Sequence, residues 1–327
     1  MKTPKFWYST NSIISKILFP LSFLWKIGGI IKNNKFYNIE NIKIIKVGNV
    51  VAGGSGKTPT VITIVKKLIN SNIEAHIITK GYKGSIKKSV LVDTKIHTYK
   101  EVGDEAIILS KIAPTWIGKN RIESINNAKN NGAEIVVLDD GIQDNSIKGN
   151  LNILVFNGSQ GIGNGKLIPS GPLRENIEEA LKKCHLSIMI EKDENNIKKL
   201  IKTYTPIIDA EINIESEYIK NFKDKDVVAF CGLGYPEKFY KTLKKIGCNI
   251  KYMESFPDHY KYKSHIIKRL IKKANDLNSL LITTEKDHIK ITNEYRNRIF
   301  YFPITTKYND ENILNDLLAS LTNKKLN

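Results

Sequence analysis

From residue 43 to about residue 160, short apolar runs alternate with longer stretches in which apolar residues recur every three or four positions. The apolar runs predict β-strands over residues 43–47, 75–79, 135–138 and 152–156. The stretches between them predict helices over residues 59–69, 103–112 and 121–130. Strands and helices that alternate in this way are typical of a parallel sheet with helices on both faces. The pattern therefore predicts an α/β fold for this part of the chain.

The pattern changes after residue 156. Residues 157–174 are rich in glycine and proline and predict a long loop, and loops of that length inside a domain are usually functional. Further strands are predicted over residues 226–230, 280–284 and 299–304, and a helix over residues 313–321. These elements indicate a smaller C-terminal α/β domain. We therefore divide the chain into an N-terminal helical segment at 1–35, a core α/β domain at 36–215 and a C-terminal domain at 216–327.

The N-terminal stretch from residue 13 to residue 31 is mostly apolar, with apolar residues at near-helical spacing, but Lys16, Pro20 and Lys26 interrupt it. An amphipathic helix on a membrane surface fits this pattern, and a helix docked on the protein's own core is an alternative. A spanning helix, a further alternative, would place lysine near the bilayer centre at about 2.5–3.5 kcal/mol each. A signal peptide would need a small-residue cleavage site, which is missing. We favour the membrane-surface helix.

The net charge of +18 predicts an anionic partner. Only five of the 51 basic residues are arginine, and lysine is spread along the whole chain, so much of this charge reflects composition. A basic surface still attracts anionic lipid. There is no arginine-rich run, RNP-like motif or zinc-ligand spacing in the sequence, so we expect no nucleic-acid partner. The three cysteines are widely spaced and form no disulfide framework, as expected in a reducing cytoplasm.

A glycine-rich segment lies between the first predicted strand and the first predicted helix of the core domain. Its residues are Val51, Ala52, Gly53, Gly54, Ser55, Gly56, Lys57 and Thr58. A glycine-rich turn that leads into a helix N-terminus presents backbone N–H groups and a positive dipole end to a phosphate. In such a P-loop, Lys57 reaches the β- and γ-phosphates and the Thr58 hydroxyl holds Mg²⁺. Val51 stands where the usual pattern has its first glycine.

Three aspartates of the same domain stand at the ends of predicted elements. Asp139 and Asp140 come directly after the strand at 135–138, where a nucleotide-bound Mg²⁺ needs a carboxylate ligand. Asp104 opens a predicted helix after a glycine, so it is either an N-cap or a general base that faces the γ-phosphate.

Two further residues have less local support. His259 has Asp258 and a rigid proline beside it, which favours an oriented imidazole, although a lone histidine is more often structural. Arg174 is a rare arginine in a stiff loop, and a guanidinium fits phosphate geometry better than an ammonium does. We therefore predict that Arg174 clamps a nucleotide or substrate phosphate.

Taken in order, the motifs of this chain resemble those of a known family, the tetraacyldisaccharide 4′-kinases of Gram-negative bacteria. The motifs are LFPLSFL from residue 18, VGN from 47, the P-loop, GYKG from 81, VGDE from 102, DDG with Gln143 from 139, PSGPLRE from 169, GLGYPE from 232, FPDH from 256 and TEKD from 284. They cover nearly the whole length, and their order is far more specific than any one of them. The family's P-loop also lacks the usual first glycine.

The resemblance implies an ATP- and Mg²⁺-dependent kinase. Such an enzyme transfers the γ-phosphate of ATP to the 4′-hydroxyl of tetraacyldisaccharide 1-phosphate, an acylated disaccharide lipid, and forms lipid IVA in lipid A biosynthesis. The resemblance also implies a peripheral or monotopic enzyme on the cytoplasmic face of the bacterial inner membrane.

The same resemblance assigns roles to individual residues. The residue matching Asp104 is the base, assisted by the one matching His259, and Asp139 and Asp140 match the metal-associated pair. The expected substrate contacts are Lys80, Tyr82, Gln143, Arg174 and Glu175.

Two positions depart from the family's pattern. Lys80 stands where arginine is frequent, which keeps the charge but loses the bidentate fork. Asp144 stands where histidine is usual, and it adds negative charge near a phosphate site unless a metal or lysine compensates.

Two other classes of protein fit part of the sequence. A P-loop GTPase or ATPase switch is one, although TEKD at 284–287 lacks the asparagine of a guanine-reading motif. A basic membrane- or nucleic-acid-binding protein that merely binds nucleotide is the other. Lipid-dependent ATP consumption separates the kinase from both.

Overall fold

The computed structural model describes residues 4–9, 11–31 and 37–322, and the side chains of 26–31, including Lys26, lie outside that description. The described chain forms two compact units. The first unit comprises Pro4–Ile212 and the chain from Thr305 onward, and the second unit is Asn213–Ile304. The division into three domains made from the sequence stays a prediction. The structure adds that residues 216–327 are shared between the two units, because a strand that begins at Thr305 extends the sheet of the first.

The helices and strands alternate along most of the chain. In order, the strands are β1 (Lys43–Gly48), β2 (Ala75–Thr79), β3 (Val90–Leu91), β4 (Thr115–Ile117), β5 (Ile135–Asp139), β6 (Leu151–Asn157), β7 (Leu186–Ile190), β8 (Ile207–Asn213), β9 (Asp226–Cys231), β10 (Asn249–Ser255), β11 (Leu280–Ile282) and β12 (Thr305–Tyr308). A short 3-10 helix at Lys5–Tyr8 comes before the α-helices, which are α1 (Ile13–Ile31), α2 (Lys57–Asn70), α3 (Tyr99–Val102), α4 (Asp104–Ser110), α5 (Arg121–Asn130), α6 (Ile177–Lys182), α7 (Lys198–Lys202), α8 (Ser216–Phe222), α9 (Glu237–Lys245), α10 (Ser264–Asp276), α11 (Glu285–His288), α12 (Asn293–Arg296) and α13 (Asn312–Thr322).

The first unit is built on a large sheet with the strand order β12-β8-β7-β6-β1-β5-β2-β4-β3. Strand β1 pairs in parallel with β5 and β6, and β2 pairs in parallel with β4 and β5. The short edge strand β3 is antiparallel to β4. This parallel-dominated sheet confirms the predicted α/β fold class. Because β1, β2 and β5 run in the same direction, the loops that follow them leave from one edge of the sheet.

Helices cover both faces of this sheet, as the sequence predicts. Ile44 and Val136, from β1 and β5, lie in one buried cluster with Ile125 of α5. The next residues along these strands, Ile45 and Val137, are equally buried but point to the opposite face. Helix α2 contacts β1, β2 and β5, and none of its buried residues belongs to the α5 cluster, so α2 covers that opposite face.

The second unit is also a parallel sheet with helices on both faces, but it is smaller. Its sheet has the order β10-β9-β11, and both neighbours pair with β9 in parallel. Val228 and Phe230 of β9 pack with α10, whereas Val227 and Ala229 pack with α9. Alternate residues of one central strand therefore face two helices. This is the smaller α/β domain that the sequence predicts after residue 215.

One predicted strand, at residues 299–304, is wrong. Phe300 forms a single isolated bridge with Ile282, with hydrogen bonds from Phe300 N to Leu281 O (2.8 Å) and from Thr283 N to Phe300 O (2.9 Å). Pro303 has no backbone N–H with which to continue this ladder. The regular strand begins two residues later, as β12, and belongs to the sheet of the first unit.

Helix α1 confirms the predicted N-terminal helix and runs through Pro20. Among its described side chains, the two buried ones are polar: Ser15 is 1% exposed and Ser22 is 4% exposed. Its large apolar side chains face outward, and these are Ile13, Ile14, Ile17, Phe19, Leu21, Phe23, Leu24 and Trp25. None of the helices in the described ranges is both long enough and apolar enough to cross a membrane.

Candidate active site

Three loops meet at the edge of the large sheet where β1 and β5 end. The P-loop follows β1, and Asp139 is the last residue of β5, in register with Val47. The third loop, at residues 164–175, pairs its backbone with the P-loop. Arg174 N donates to Val50 O and Ala52 N donates to Pro172 O, both at 2.8 Å. The candidate residues of these loops are thus brought together by parallel-strand topology and backbone pairing.

The P-loop has the backbone that its glycines allow. Gly56 has a φ of 91°, which strains any residue with a side chain, and a Cβ at this position would also displace Ile190 Cδ1, 2.3 Å away. Helix α2 begins at the next residue, Lys57. Gly54 faces open space, and the buried hydroxyl of Ser55 has no hydrogen-bond partner. An exposed backbone turn beside an unpaired buried hydroxyl at a helix N-terminus fits a phosphate cradle.

Lys57 points from this loop toward the acidic pair. Its Nζ donates to Asn49 Oδ1 at 2.9 Å and lies 3.4 Å from Asp140 Oδ1. Arg174 Nη1 donates to both oxygens of Asp140, at 2.8 and 2.7 Å. Asp140 is therefore held by two cations, and Arg174, predicted to clamp a phosphate, here contacts a carboxylate. The contact places the guanidinium beside the P-loop lysine.

Gln143 closes this network on its far side. Its Nε2 donates to Asn49 O at 2.7 Å and to Glu175 Oε1 at 2.9 Å. Since Glu175 follows Arg174 in the chain, the polar contacts form a closed ring. We call the six residues Asn49, Lys57, Asp140, Gln143, Arg174 and Glu175 the P-loop ring. Asn49 is a member that the sequence-based site prediction missed, although its motif was part of the family resemblance.

The two adjacent aspartates have opposite electrostatic environments. Burial opposes ionisation of Asp140, but the charges of Lys57 and Arg174 hold the pKa of its carboxyl well below the ordinary value. Burial raises the pKa of Asp139 to about 7, and the negative charge of Glu105 adds to that increase. The charge of Asp140 is therefore balanced by cations of the protein, whereas Asp139 lacks enough positive charge nearby to balance its own.

Asp139 and Thr58 are the residues that fit a Mg²⁺ ion. Asp139 is 2% exposed, and its Oδ1 is buried with no hydrogen-bond partner. Thr58 is the second residue of α2 and supplies a hydroxyl on the same P-loop. Carboxylate and hydroxyl oxygens are hard ligands of the kind that Mg²⁺ prefers. The unpaired buried acceptor is the observation that makes the fit, and the metal roles of Thr58, Asp139 and Asp140 stay predictions.

Arg121 holds the backbone that carries both aspartates, and the sequence-based prediction missed it. Its side chain is buried, and Nη2 donates to the carbonyls of Asp139 (3.0 Å) and Asp140 (2.6 Å). Asp140 needs this support because its φ is 55°, which is unfavourable for a residue other than glycine. The rarity of arginine in this chain, the signal that drew attention to Arg174, applies equally to Arg121.

Asp144 is explained by the same arginine. Arg121 Nη1 lies 3.2 Å from Asp144 Oδ2, and the buried Lys46 donates to Asp144 O at 2.7 Å. Burial acts the other way, but hydrogen bonds from Ser146 and the charge of Arg121 hold the pKa of Asp144 below its usual value. The negative charge at this departure from the family's pattern is therefore compensated within the protein.

Asp104 is the first residue of α4 and is 5% exposed. Gly103 occupies the N-cap position, and Asp104 Oδ1 accepts from Glu105 N at 3.0 Å in the first turn, so the carboxylate also satisfies a backbone donor of α4. The Gly81–Gly84 turn packs on the backbone just before it, because a Cβ on Gly103 would lie 2.7 Å from Tyr82 O. Tyr82 is 60% exposed and Lys80 is also exposed, so both side chains are accessible from solvent. The structure thus brings the two motifs together.

His259 lies in the second unit, after β10. It has a φ of 59°, and its Nε2 is 3.7 Å from Asp258 Oδ2. The sequence predicts that the Asp258 carboxylate orients the imidazole of His259. The catalytic role of His259 stays a prediction.

A P-loop at the end of a central parallel strand, with a buried aspartate at the end of the neighbouring strand, defines an α/β P-loop nucleotide-binding protein. A sequence profile of the family described as tetraacyldisaccharide-1-P 4′-kinase matches residues 14–323. The chain therefore belongs to the tetraacyldisaccharide 4′-kinase family.

Individual relatives agree with this assignment. The tetraacyldisaccharide 4′-kinase of Rickettsia akari is 34% identical over 315 residues, which cover 96% of this chain and 95% of the relative. That of Rhodospirillum centenum is 31% identical over 331 residues, which cover 99% and 98%. The crystal structure of LpxK from Aquifex aeolicus, in complex with ATP, has a similar fold. Its TM-score is 0.75 at 24% identity, with 94% of this chain and 99% of that chain covered.

Proposed function

We propose that this protein is a kinase that transfers the γ-phosphate of ATP to the 4′-hydroxyl of tetraacyldisaccharide 1-phosphate. The product is lipid IVA, an intermediate of lipid A biosynthesis. Membership of the family supports the reaction, and the P-loop ring is the structural observation that carries it. A phosphate cradle that joins a lysine, an arginine and an aspartate within hydrogen-bonding reach is suited to phosphoryl transfer.

Binding of ATP is the first task of the site. The backbone N–H groups of Gly53 to Lys57 surround the phosphates, and Lys57 neutralises the charge that develops on the transferred group. Arg174, held beside Lys57 by Asp140, supplies a second cation to the same region. A Mg²⁺ ion held by Thr58 and Asp139 would neutralise the β- and γ-phosphate oxygens.

Asp104 is the proposed general base for the sugar hydroxyl. Its near-complete burial and its place at the start of α4 hold the carboxyl in a fixed position. A base of this kind must take a proton from the acceptor oxygen as that oxygen attacks phosphorus. Tyr82, from the turn that packs beside Asp104, and Gln143 and Glu175, from the P-loop ring, are proposed substrate contacts, together with Lys80.

The acceptor carries acyl chains, and we propose that α1 places the enzyme on the membrane that contains it. The outward apolar face of α1 would enter the acyl boundary of the bilayer, and the positive charge of the chain would attract anionic lipid headgroups. The proposed location is the cytoplasmic face of the bacterial inner membrane, where ATP is available.

The test uses purified full-length protein, γ-labelled ATP, Mg²⁺ and tetraacyldisaccharide 1-phosphate in detergent micelles. We expect label in the lipid, and its loss in Lys57→Ala. Lys198→Ala is the matched control, because Lys198 forms an exposed ion pair with Asp209 elsewhere in the first unit. ATP hydrolysis without lipid labelling would point instead to another acceptor or to a switch ATPase.

A further inference from the structure

The side of α1 that faces the protein is joined to the loop of Arg174 by hydrogen bonds between polar groups. Ser22 Oγ donates to Leu167 O at 2.8 Å and accepts from Ser170 N at 3.2 Å. Ser15 Oγ donates to Ser170 O at 2.9 Å, and Ser170 Oγ donates back to Ser15 O at 2.6 Å. We call Ser15, Ser22 and Ser170 the serine seam. All three side chains are buried.

This arrangement inverts the usual amphipathic helix. A helix whose only role is to cover a protein buries an apolar stripe and exposes polar residues. Among the described side chains of α1, the two buried ones are hydrogen-bonded serines, Leu18 between them is half-buried, and the other large apolar residues are exposed. Hydrogen bonds between buried partners fix one geometry, whereas apolar contacts allow sliding. The seam therefore fixes α1 to the loop in one position.

The loop continues from the seam to the P-loop ring within four residues. Ser170 is followed by Pro172, which accepts from Ala52 of the P-loop, and then by Arg174. Trp25 of α1 makes a second connection, because its Nε1 donates to Arg174 O at 3.0 Å. Helix α1 thus contacts the chain both before Arg174 and at Arg174 itself.

We infer that the serine seam is a set of positioning residues through which contact of α1 with a lipid surface fixes Arg174 in the nucleotide site. This inference rests on the proposed membrane-surface role of α1. Contact of α1 with the bilayer then restricts the loop further through the seam and Trp25, so that nucleotide binding has less of the motion of Arg174 to restrict. Lipid surface and nucleotide consequently bind with positive coupling, and each must raise the affinity for the other by the same factor.

The experiment measures this coupling without any acceptor. A fluorescent ATP analogue with Mg²⁺ is titrated into full-length protein, with and without vesicles of phosphatidylethanolamine and phosphatidylglycerol. We expect vesicles to tighten nucleotide binding by about fivefold, at the lower end of typical coupling between sites. Nucleotide should raise the association constant for vesicles, measured by flotation over a range of lipid concentrations, by the same factor.

Matched variants show whether the seam carries the coupling. In Ser22→Ala, the ratio of nucleotide affinities with and without vesicles should fall to near one, while the protein still floats with vesicles. In Ser22→Thr, which keeps the hydroxyl, the ratio should return to the value of the unmodified protein. Ser12→Ala is the control, because the Ser12 hydroxyl accepts from Ser15 N within the N-terminal segment and does not contact the loop. Trp25→Phe removes the second connection at an exposed site and replaces Ser22→Ala if that variant does not fold.

The outcomes distinguish this inference from the proposed reaction. Equal nucleotide affinity with and without vesicles in the unmodified protein would overturn the inference, and so would full coupling in both Ser22→Ala and Trp25→Phe. The lipid-labelling assay reports on the reaction separately. Coupling without phosphate transfer would support the role of the serine seam and reject the proposed acceptor. Phosphate transfer without coupling would support the proposed acceptor and reject the role of the seam.

Discussion

At the scale of single residues, the proposed role of Asp104 as general base predicts how its replacement changes turnover and nucleotide affinity. Asp104 is the first residue of α4, whereas Lys57 and the P-loop backbone, the proposed phosphate contacts, belong to residues 51–58. We therefore expect Asp104→Ala to lower the turnover number for lipid phosphorylation by at least about 100-fold. The dissociation constant for ATP, measured by titration, should stay nearly unchanged. An unaltered turnover number would exclude Asp104 as the base.

Arg121 leads to a prediction about stability. Arg121→Met would leave two backbone carbonyls and the Asp144 carboxylate without their buried donor. We expect a loss of about 3 kcal/mol in the free energy of unfolding, measured by urea denaturation. Lys198→Met removes an exposed ion pair of the same unit and should cost less than about 1 kcal/mol. Similar losses of stability in the two variants would show that Arg121 does not hold the backbone of Asp139 and Asp140.

Sequence alone could reveal some of these residues and not others. The P-loop, the acidic pair and Arg174 carry local signals, and the structure brings all of them to one edge of the sheet. Arg121 is separated from Asp139 and Asp140 by 18 and 19 positions, so no local pattern connects them. The environment of Asp144 depends on that distant arginine. For this reason, its charge looked unfavourable in the sequence and is compensated in the fold.

At the scale of elements, the sequence predicted a helix at residues 13–31 but could not say which side faces the protein. Periodicity locates the apolar stripe, and a stripe can face either a core or a lipid surface. Ser15 and Ser22, whose hydrogen bonds determine which side of α1 faces the protein, contribute little to a hydrophobic pattern. Their role depends on a loop about 150 residues later in the chain. The strand predicted at 299–304 failed for a similar reason, since Ile299 and Phe302 are buried without continuous strand pairing.

The exposed face of α1 predicts how vesicle binding responds to mutation. Ile17 is 70% exposed and Phe23 is 66% exposed, so replacing both by glutamine should leave the unfolding midpoint unchanged. Vesicle association in flotation should fall by at least about tenfold, because two large apolar side chains no longer enter the bilayer. Ile96→Gln is the control, since Ile96 is also 70% exposed but lies outside α1. An equal loss in the control would argue against a specific lipid-binding face.

At the scale of the whole molecule, the first unit is made of two separate parts of the chain. The chain leaves it after Ile212 and returns at Thr305. On its return, Thr306 N donates to Thr63 Oγ1 of α2 at 3.0 Å, and Lys67 of α2 donates to Glu311. The helix that begins with the P-loop lysine is therefore supported by residues that follow the entire second unit.

The returning segment should be required for the stability of the first unit. Leu314 of α13 is fully buried, so Leu314→Ala should lower the free energy of unfolding by about 2–5 kcal/mol. Its neighbour Ile313 is 38% exposed, and Ile313→Ala should have a much smaller effect. Urea denaturation monitored together with nucleotide binding should show that Leu314→Ala also lowers the denaturant concentration at which ATP binding is lost. Equal effects of the two substitutions would contradict this packing.

The interrupted path of the chain also has a consequence for protein synthesis. Residues 213–304 are contiguous, so they can fold as soon as the ribosome has released them. The sheet of the first unit still lacks its edge strand β12 at that moment, and α2 lacks Thr306 and Glu311. The nucleotide site is therefore completed last, after the part of the chain that is inserted within its unit. A nascent chain that stops before Thr305 would have a folded second unit and a first unit with an open sheet edge, and an open edge favours aggregation and degradation.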